Sequence, residues 1–270
     1  MFPIGEQPDF IKDLNELEEI PNEIAIQGIT KNLERLKEFS NIEKLWLFSI
    51  NQTQFDLILK YIRPKILFVY EIRVEDLTSL ELLSDVEQIN LCWNTKAAKL
   101  WDLSKNMYLR SLSIEDFKKL NDIEPLQYCQ TLNKLELSGG IGNALKINTL
   151  DPLKQLVNLK YLSLTNIRVK DGSLEPVTCL KNLLEIKISN QFPTEEYAKL
   201  SVALPETKCD YFHPYVKLND SIDGKDIMVI GKRKPFLNAI LDIKKLEKYD
   251  EQFKAFQEKY KAAMYIKNPK

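Results

Sequence analysis

Residues 150–188 read LDPLKQLVNLKYLSLTNIRVKDGSLEPVTCLKNLLEIKI, and inside them LDPLKQLVNLKYLSL (150–164) is followed by LEPVTCLKNLLEIKI (174–188), one template written twice. In the second half of each copy Leu159, Leu162 and Leu164 match Leu183, Ile186 and Ile188, an L-x-x-L-x-L frame. Along the whole chain the frame starts at Pro21, Ile42, Pro64, Val86, Leu109, Leu132, Leu159, Leu183 and Leu204, with steps of 21, 22, 22, 23, 23, 27, 24 and 21 residues. A recurrence of about 20–30 residues is the signature of a repeat architecture.

The inner pairs of the frame run from Ile24/Ile26 to Thr207/Cys209, and only Thr207 among them is polar. Alternation with period two puts each pair on one face of a short strand, so nine short strands sharing a buried side are expected. Ahead of the frame lie Ile123, Pro125, Leu126, Cys129; Leu150, Pro152, Leu153, Leu156; and Leu174, Pro176, Val177, Leu180. Apolar residues three apart, with proline at the start, predict short helical turns of the tighter type. A strand plus such a turn cannot bury its apolar side alone and must stack on its neighbours.

The frame over residues 20–212 resembles the leucine-rich repeat family, most closely the short class of about 22 residues found in internalins and phosphatase regulatory subunits. The resemblance implies an α/β solenoid, with a curved parallel sheet on the concave side and helical or 3-10 turns on the convex side. It also implies a bacterial protein that works by binding another protein. Family members carry asparagine three places after the second inner residue, whereas this chain has Ile29, Ile50, Ile72, Asn94, Phe117, Gly140, Ile167, Gln191 and Phe212 there. Only Asn94 fits.

Around the solenoid (21–212) two further segments are expected, an N-terminal cap (1–20) and a C-terminal cap (213–270). In the latter, YVKLND and DIMVIGKRKPF read as a hairpin turning at Asp223-Gly224. A helix from about Ile243, capped by Asp242, carries Leu246, Tyr249, Phe253, Phe256, Tyr260 and Ala263 on one stripe. That stripe suits a docked cap or a dimerisation seam. Residues 1–20 hold six acids against Lys12, and the segment after His213 holds 13 bases against 8 acids. Solvated caps explain this; head-to-tail association or an acidic ligand at Lys232-Arg233-Lys234 is the sharper reading.

With 270 residues, 44% hydrophobic and 29% charged, the chain can build a large core. The first twenty residues lack the basic start and apolar run of a signal peptide, and no membrane span is expected. Cysteines 92, 129, 179 and 209 form no C-x-x-C, and Cys129 and Cys209 occupy leucine slots, as small core residues in a reducing, cytoplasmic compartment would. No metal-ligand spacing, phosphate loop or dinucleotide fingerprint occurs, so no cofactor is expected. A net charge of −1 and mixed signs along the strands disfavour nucleic acid.

By period two the outward strand residues include Trp46, Phe48, Ile66, Phe68 and Tyr70 on two consecutive strands, Asn90 on the next and Tyr161 further along, with Trp93 close to the group. Clustered outward aromatics mark contact surfaces. The expected function is therefore non-catalytic protein binding through Trp46, Phe48, Phe68, Tyr70, Asn90, Trp93 and Tyr161, anchored on Trp46, Phe68 and Tyr70, by a chain that is monomeric. Phe2, Ile4 and Phe10 could instead fold over these rings. The 27-residue repeat carries SGGIGNALKINT (138–149), a flexible insertion or a second binding loop. Two alternatives stay open: an inhibitor or immunity-type protein that occludes an enzyme, and an enzyme using the tail around its single histidine, His213.

Overall fold

A computed structural model describes residues 6–39 and 41–267. Eight strands form one parallel sheet: β1 (Glu23–Gln27), β2 (Lys44–Phe48), β3 (Ile66–Ile72), β4 (Gln88–Asn94), β5 (Ser111–Phe117), β6 (Lys134–Ser138), β8 (Tyr161–Thr165) and β10 (Glu185–Ile188), in that spatial order. Register is held without slip, because each strand buries the same two positions and a one-residue shift would turn them to the open side. Thus Leu45 pairs with Leu67, Leu67 with Ile89 and Ile89 with Leu112. The ninth frame yields no strand. It supplies the single bridge Glu185 to Lys208, while Thr207, the polar inner residue, donates to the Leu183 carbonyl at 2.8 Å.

Opposite the sheet lie the expected 3-10 turns, three of them with proline at the start: Glu124–Tyr128, Asp151–Gln155 and Glu175–Cys179. Two repeats depart from this. Gln52–Tyr61 forms α1 and Thr194–Ala203 forms α2, each a ten-residue α-helix. The start of α1 is fixed by a capping box in which the Asn51 side chain accepts from Gln54 N–H while Gln54 accepts from Asn51 N–H.

The column that holds asparagine in the family is mostly an apolar plug here. Ile50, Ile72, Phe117 and Ile167 are all buried in it, whereas Ile29 at the solenoid's start is exposed. Asn94 is fully buried and uses both ends of its amide: Nδ2 donates to the Val74 carbonyl at 2.8 Å, and Oδ1 accepts from Lys96 and Ala97 N–H at 2.7 and 2.9 Å.

The 138–149 insertion is ordered. Gly140 bridges Asn143 around a tight turn, and β7 (Leu145–Ile147) then pairs in parallel with β9 (Ile167–Val169). Glycine is required at 139, where a Cβ would meet the backbone carbonyls of Asn166 and Asn143.

Beyond the solenoid, β11 (Tyr215–Ile222) and β12 (Lys225–Val229) form the expected hairpin. Asp223 and Gly224 sit at φ 50° and 75°, the left-handed pair that a two-residue turn of type I′ requires. A short β13 (Phe236–Leu237) adds to β12. Hydrogen bonds tie this sheet to the repeats: Thr194 to the Ile230 carbonyl, Asn190 to Val229 and Gly231, and Lys232 N–H to the Phe192 carbonyl. The last helix, α3 (Ile243–Lys267), buries Leu246 and Phe253 and lies on α2 through Gln257 with Ser201 and Lys259 with Glu195. Of its stripe, Leu246 and Phe253 are buried and Tyr249, Phe256 and Tyr260 half-buried, while Ala263 is exposed. The Asp242 side chain accepts from Asn238 N–H and pairs with Lys245, while the first turn is closed by its backbone carbonyl.

Candidate functional site

Three rows of side chains cross the open face of the sheet. The first runs Glu23, Lys44, Ile66, Gln88, Ser111, Lys134, Tyr161, Glu185. The second runs Ala25, Trp46, Phe68, Asn90, Ser113, Glu136, Ser163, Lys187, and the third Gln27, Phe48, Tyr70, Cys92, Glu115, Ser138, Thr165. Aromatics thus occupy β2 and β3 in two rows, and everything from β4 onward except Tyr161 is small, polar or charged.

Trp46 does not serve as an exposed anchor. It lies on the open side as alternation requires, yet only 6% of it is accessible. On one side it stacks on Phe68, with ring centroids 5.2 Å apart. On the other it meets Ala25, which is itself covered because Phe10 bridges to Ala25 and lays the N-terminal segment along β1. Phe10 also reaches Phe48, centroid to centroid 5.7 Å. The covering of the patch therefore happens in part, through Phe10; Phe2 and Ile4 lie outside the described residues.

What stays open is the outer row. Phe48 stacks on Tyr70 at 5.1 Å, and Tyr70 meets Trp93 edge-on at 6.2 Å, with Tyr70 45% and Trp93 37% exposed. Strict alternation would send Trp93 inward, since Cys92 faces out. Its φ of 60° turns it instead, and the equivalent residues Ser49, Glu71, Asp116 and Asn166 share that left-handed conformation at 47–55°. Left-handed backbone costs a residue with a Cβ about 1–2 kcal/mol. This turn recurs across the repeats, so Trp93 is placed by the solenoid's geometry rather than by its own preference.

Next to the rings lies a polar hollow of about 230 Å³ between Phe68 and Glu136. Asn90 stands at its edge, and its Nδ2 is buried with no hydrogen-bond partner among the described residues. A buried amide donor without an acceptor costs about 1–3 kcal/mol. Glu115 and Glu136 make the hollow acidic, with Lys134 4.0 Å from Glu136. Burial, with help from Glu115 and Asp116, pushes the Cys92 thiol up to about 12, so it is a neutral wall and not a nucleophile. Tyr161 is 43% exposed but stands three strand spacings from β4, about 14 Å away. It stands on the polar stretch that continues from the hollow through Lys134 to Glu185.

His213 is exposed in the turn after the last repeat, and no hydrogen bond joins it to Cys209 among the described residues. Cys209 packs against the core, and burial raises its thiol to about 11. The described residues contain no group of three or more histidine, cysteine, aspartate or glutamate side chains placed to hold a metal ion, and no helix long and apolar enough to cross a membrane.

No family model matches the chain, and no curated protein matches it either. Among solved structures it is similar to internalin C2 of Listeria monocytogenes, with 21% identity and a TM-score of 0.48 over 66% of this chain and 74% of that one. A second is an internalin (inlF) of the same organism, at 17% and 0.42, covering 68% and 66%. A third is a leucine-rich repeat protein of Leptospira interrogans, at 16% and 0.49, covering 73% and 65%.

Proposed function

We propose that this leucine-rich repeat solenoid is a non-catalytic module that binds a segment of a partner protein across the open face of its sheet. Tyr70 and Trp93 are the anchors, Phe48 and Phe68 form the half-buried floor beneath them, and Asn90 orients the bound chain. One observation carries the reading: the exposed row of Phe48, Tyr70 and Trp93 stands beside a polar hollow edged by Phe68, and that hollow holds an amide donor buried without a hydrogen-bond partner among the described residues. Aromatic anchors beside a desolvated polar group are the usual composition of a binding hot spot. Trp46, packed between Phe68 and Ala25 in the same row, holds the floor in place.

The test is a pull-down from the native host's lysate with the wild type, a Tyr70→Ser/Trp93→Ser variant and a Tyr161→Ser control, each shown by circular dichroism to be folded. One protein retained by the wild type and the control, and lost with the double variant, supports the reading. The same protein retained by all three refutes it.

A further inference from the structure

β9 presents a second surface, on the flank of the solenoid away from the open face. Ile167 and Val169 are buried while Arg168 and Lys170 point out. Leu145 N–H donates to the Asn166 carbonyl and Lys170 N–H to the Ile147 carbonyl, so β9 meets β7 through its even-numbered residues. In a parallel pair the alternate residues face the other way, and no strand pairs with that edge of β9 among the described residues, where the Val169 carbonyl accepts from Gly172 N–H at 3.1 Å. The edge opens on a cleft of about 650 Å³, whose far wall carries Lys232 and Arg233 from the turn after β12.

Four cations therefore line the cleft, and Asp171, which accepts from Ser173 N–H at 3.0 Å, is the one carboxylate among its described lining residues. None of Arg168, Lys170, Lys232 and Arg233 has an ion-pair partner among the described residues. Gln191 also lines the cleft, and its Oε1 is buried without a donor among the described residues.

We propose that this cleft receives an acidic peptide segment of a partner protein, in extended form, added as a strand to the free edge of β9. The cations ask for negative charge, and the buried Gln191 Oε1 asks for a hydrogen-bond donor, which a main-chain N–H supplies. What selects a peptide over a small anion is the strand edge, which asks for main-chain groups. Arg168 and Lys170 lie on the face where alternate side chains of an added strand would stand, so acids at every second position are paired in register.

The test uses a fluorescein-labelled octapeptide of alternating threonine and glutamate, read by fluorescence anisotropy at low salt against the full chain. Saturable binding is expected, weakening with salt, and weakening about tenfold or more in Arg168→Glu/Arg233→Glu. The milder Lys170→Gln/Lys232→Gln variant reads the same loss should the reversal disturb folding. Tyr70→Ser/Trp93→Ser leaves binding unchanged, which separates this site from the open face. Failure to bind, or equal binding by the folded charge variants, overturns the proposal. So does equal binding of a peptide N-methylated at alternate amides, since charge alone would then suffice. Displacement by millimolar inorganic phosphate beyond that caused by sodium chloride at equal ionic strength overturns it too, in favour of a small-anion site.

Discussion

Replacing Asn94 with isoleucine gives its repeat the residue that Ile50, Ile72 and Ile167 already have in the same column, and yet it is expected to destabilise the protein. The substitution removes the acceptor of Lys96 and Ala97 N–H and the donor to the Val74 carbonyl. Lys96 is exposed and its N–H regains water, whereas Val74 and Ala97 are fully buried. Two stranded backbone groups cost about 1–3 kcal/mol each. Burying the larger apolar side chain returns about 1–2 kcal/mol. The net loss falls between about 0 and 5 kcal/mol, and its centre of about 2.5 kcal/mol lowers Tm by about 5–10 °C in a chain of this size. Thermal unfolding followed by circular dichroism measures the total. Hydrogen exchange at residues 95–99 localises it, because solenoids can open repeat by repeat. A melt within 2 °C of wild type, with protection intact at Ala97, would mean that the column needs only an apolar plug and that the amide does not fix this turn.

Trp46→Ala removes a nearly buried ring and is expected to cost about 3–5 kcal/mol in urea denaturation, while Tyr70→Ala, half exposed, stays within about 1 kcal/mol. Equal losses would contradict the division into floor and anchor. With its thiol pushed up to about 12, Cys92 has about one thiolate in ten thousand at pH 8. The folded protein should therefore release one fast-reacting thiol, the exposed Cys179, and the other three only after unfolding; a fast stoichiometry of two or more refutes this. Gly139→Ala forces a Cβ into two backbone carbonyls and should abolish protection of the β7 amides in hydrogen exchange. Gly142→Ala, at φ 72° with open space around it, should cost only about 1 kcal/mol; similar profiles for the two would show that crowding at 139 is not what orders the insertion.

Most of the architecture is legible in the chain because a solenoid is local. Each repeat contacts only its neighbours, so a frame recurring every 21–27 residues states both the strand and its pairing partner. The hairpin was equally readable, since Asp223-Gly224 allows the two left-handed residues that a tight turn needs. The two ten-residue helices were harder: their inner positions fill the same slots as the 3-10 turns, and only the Asn51 and Gln54 capping pair marks α1. The ninth frame also resembled the others, yet with Thr207 at its inner position it closes the sheet with a single bridge.

For the site, the chain's own order of residues determined that aromatics gather on β2 and β3 and that polar residues follow. Which rings meet solvent was decided by tertiary structure alone. Alternation assigns a side, but exposure depends on what else covers that side: Phe10, more than thirty residues from Trp46, lies over Ala25 and helps close the tryptophan in, and a left-handed turn shared by five repeats swings Trp93 outward against the period-two rule. The basic cleft has the same origin. The IRVK pattern at 167–170 shows buried and charged residues alternating, but the facing Lys232 and Arg233 arrive from a hairpin some sixty residues on, brought there by Asn190, Thr194 and Phe192. Periodicity fixes what each residue faces within its own repeat, and only long-range packing fixes what faces it in return.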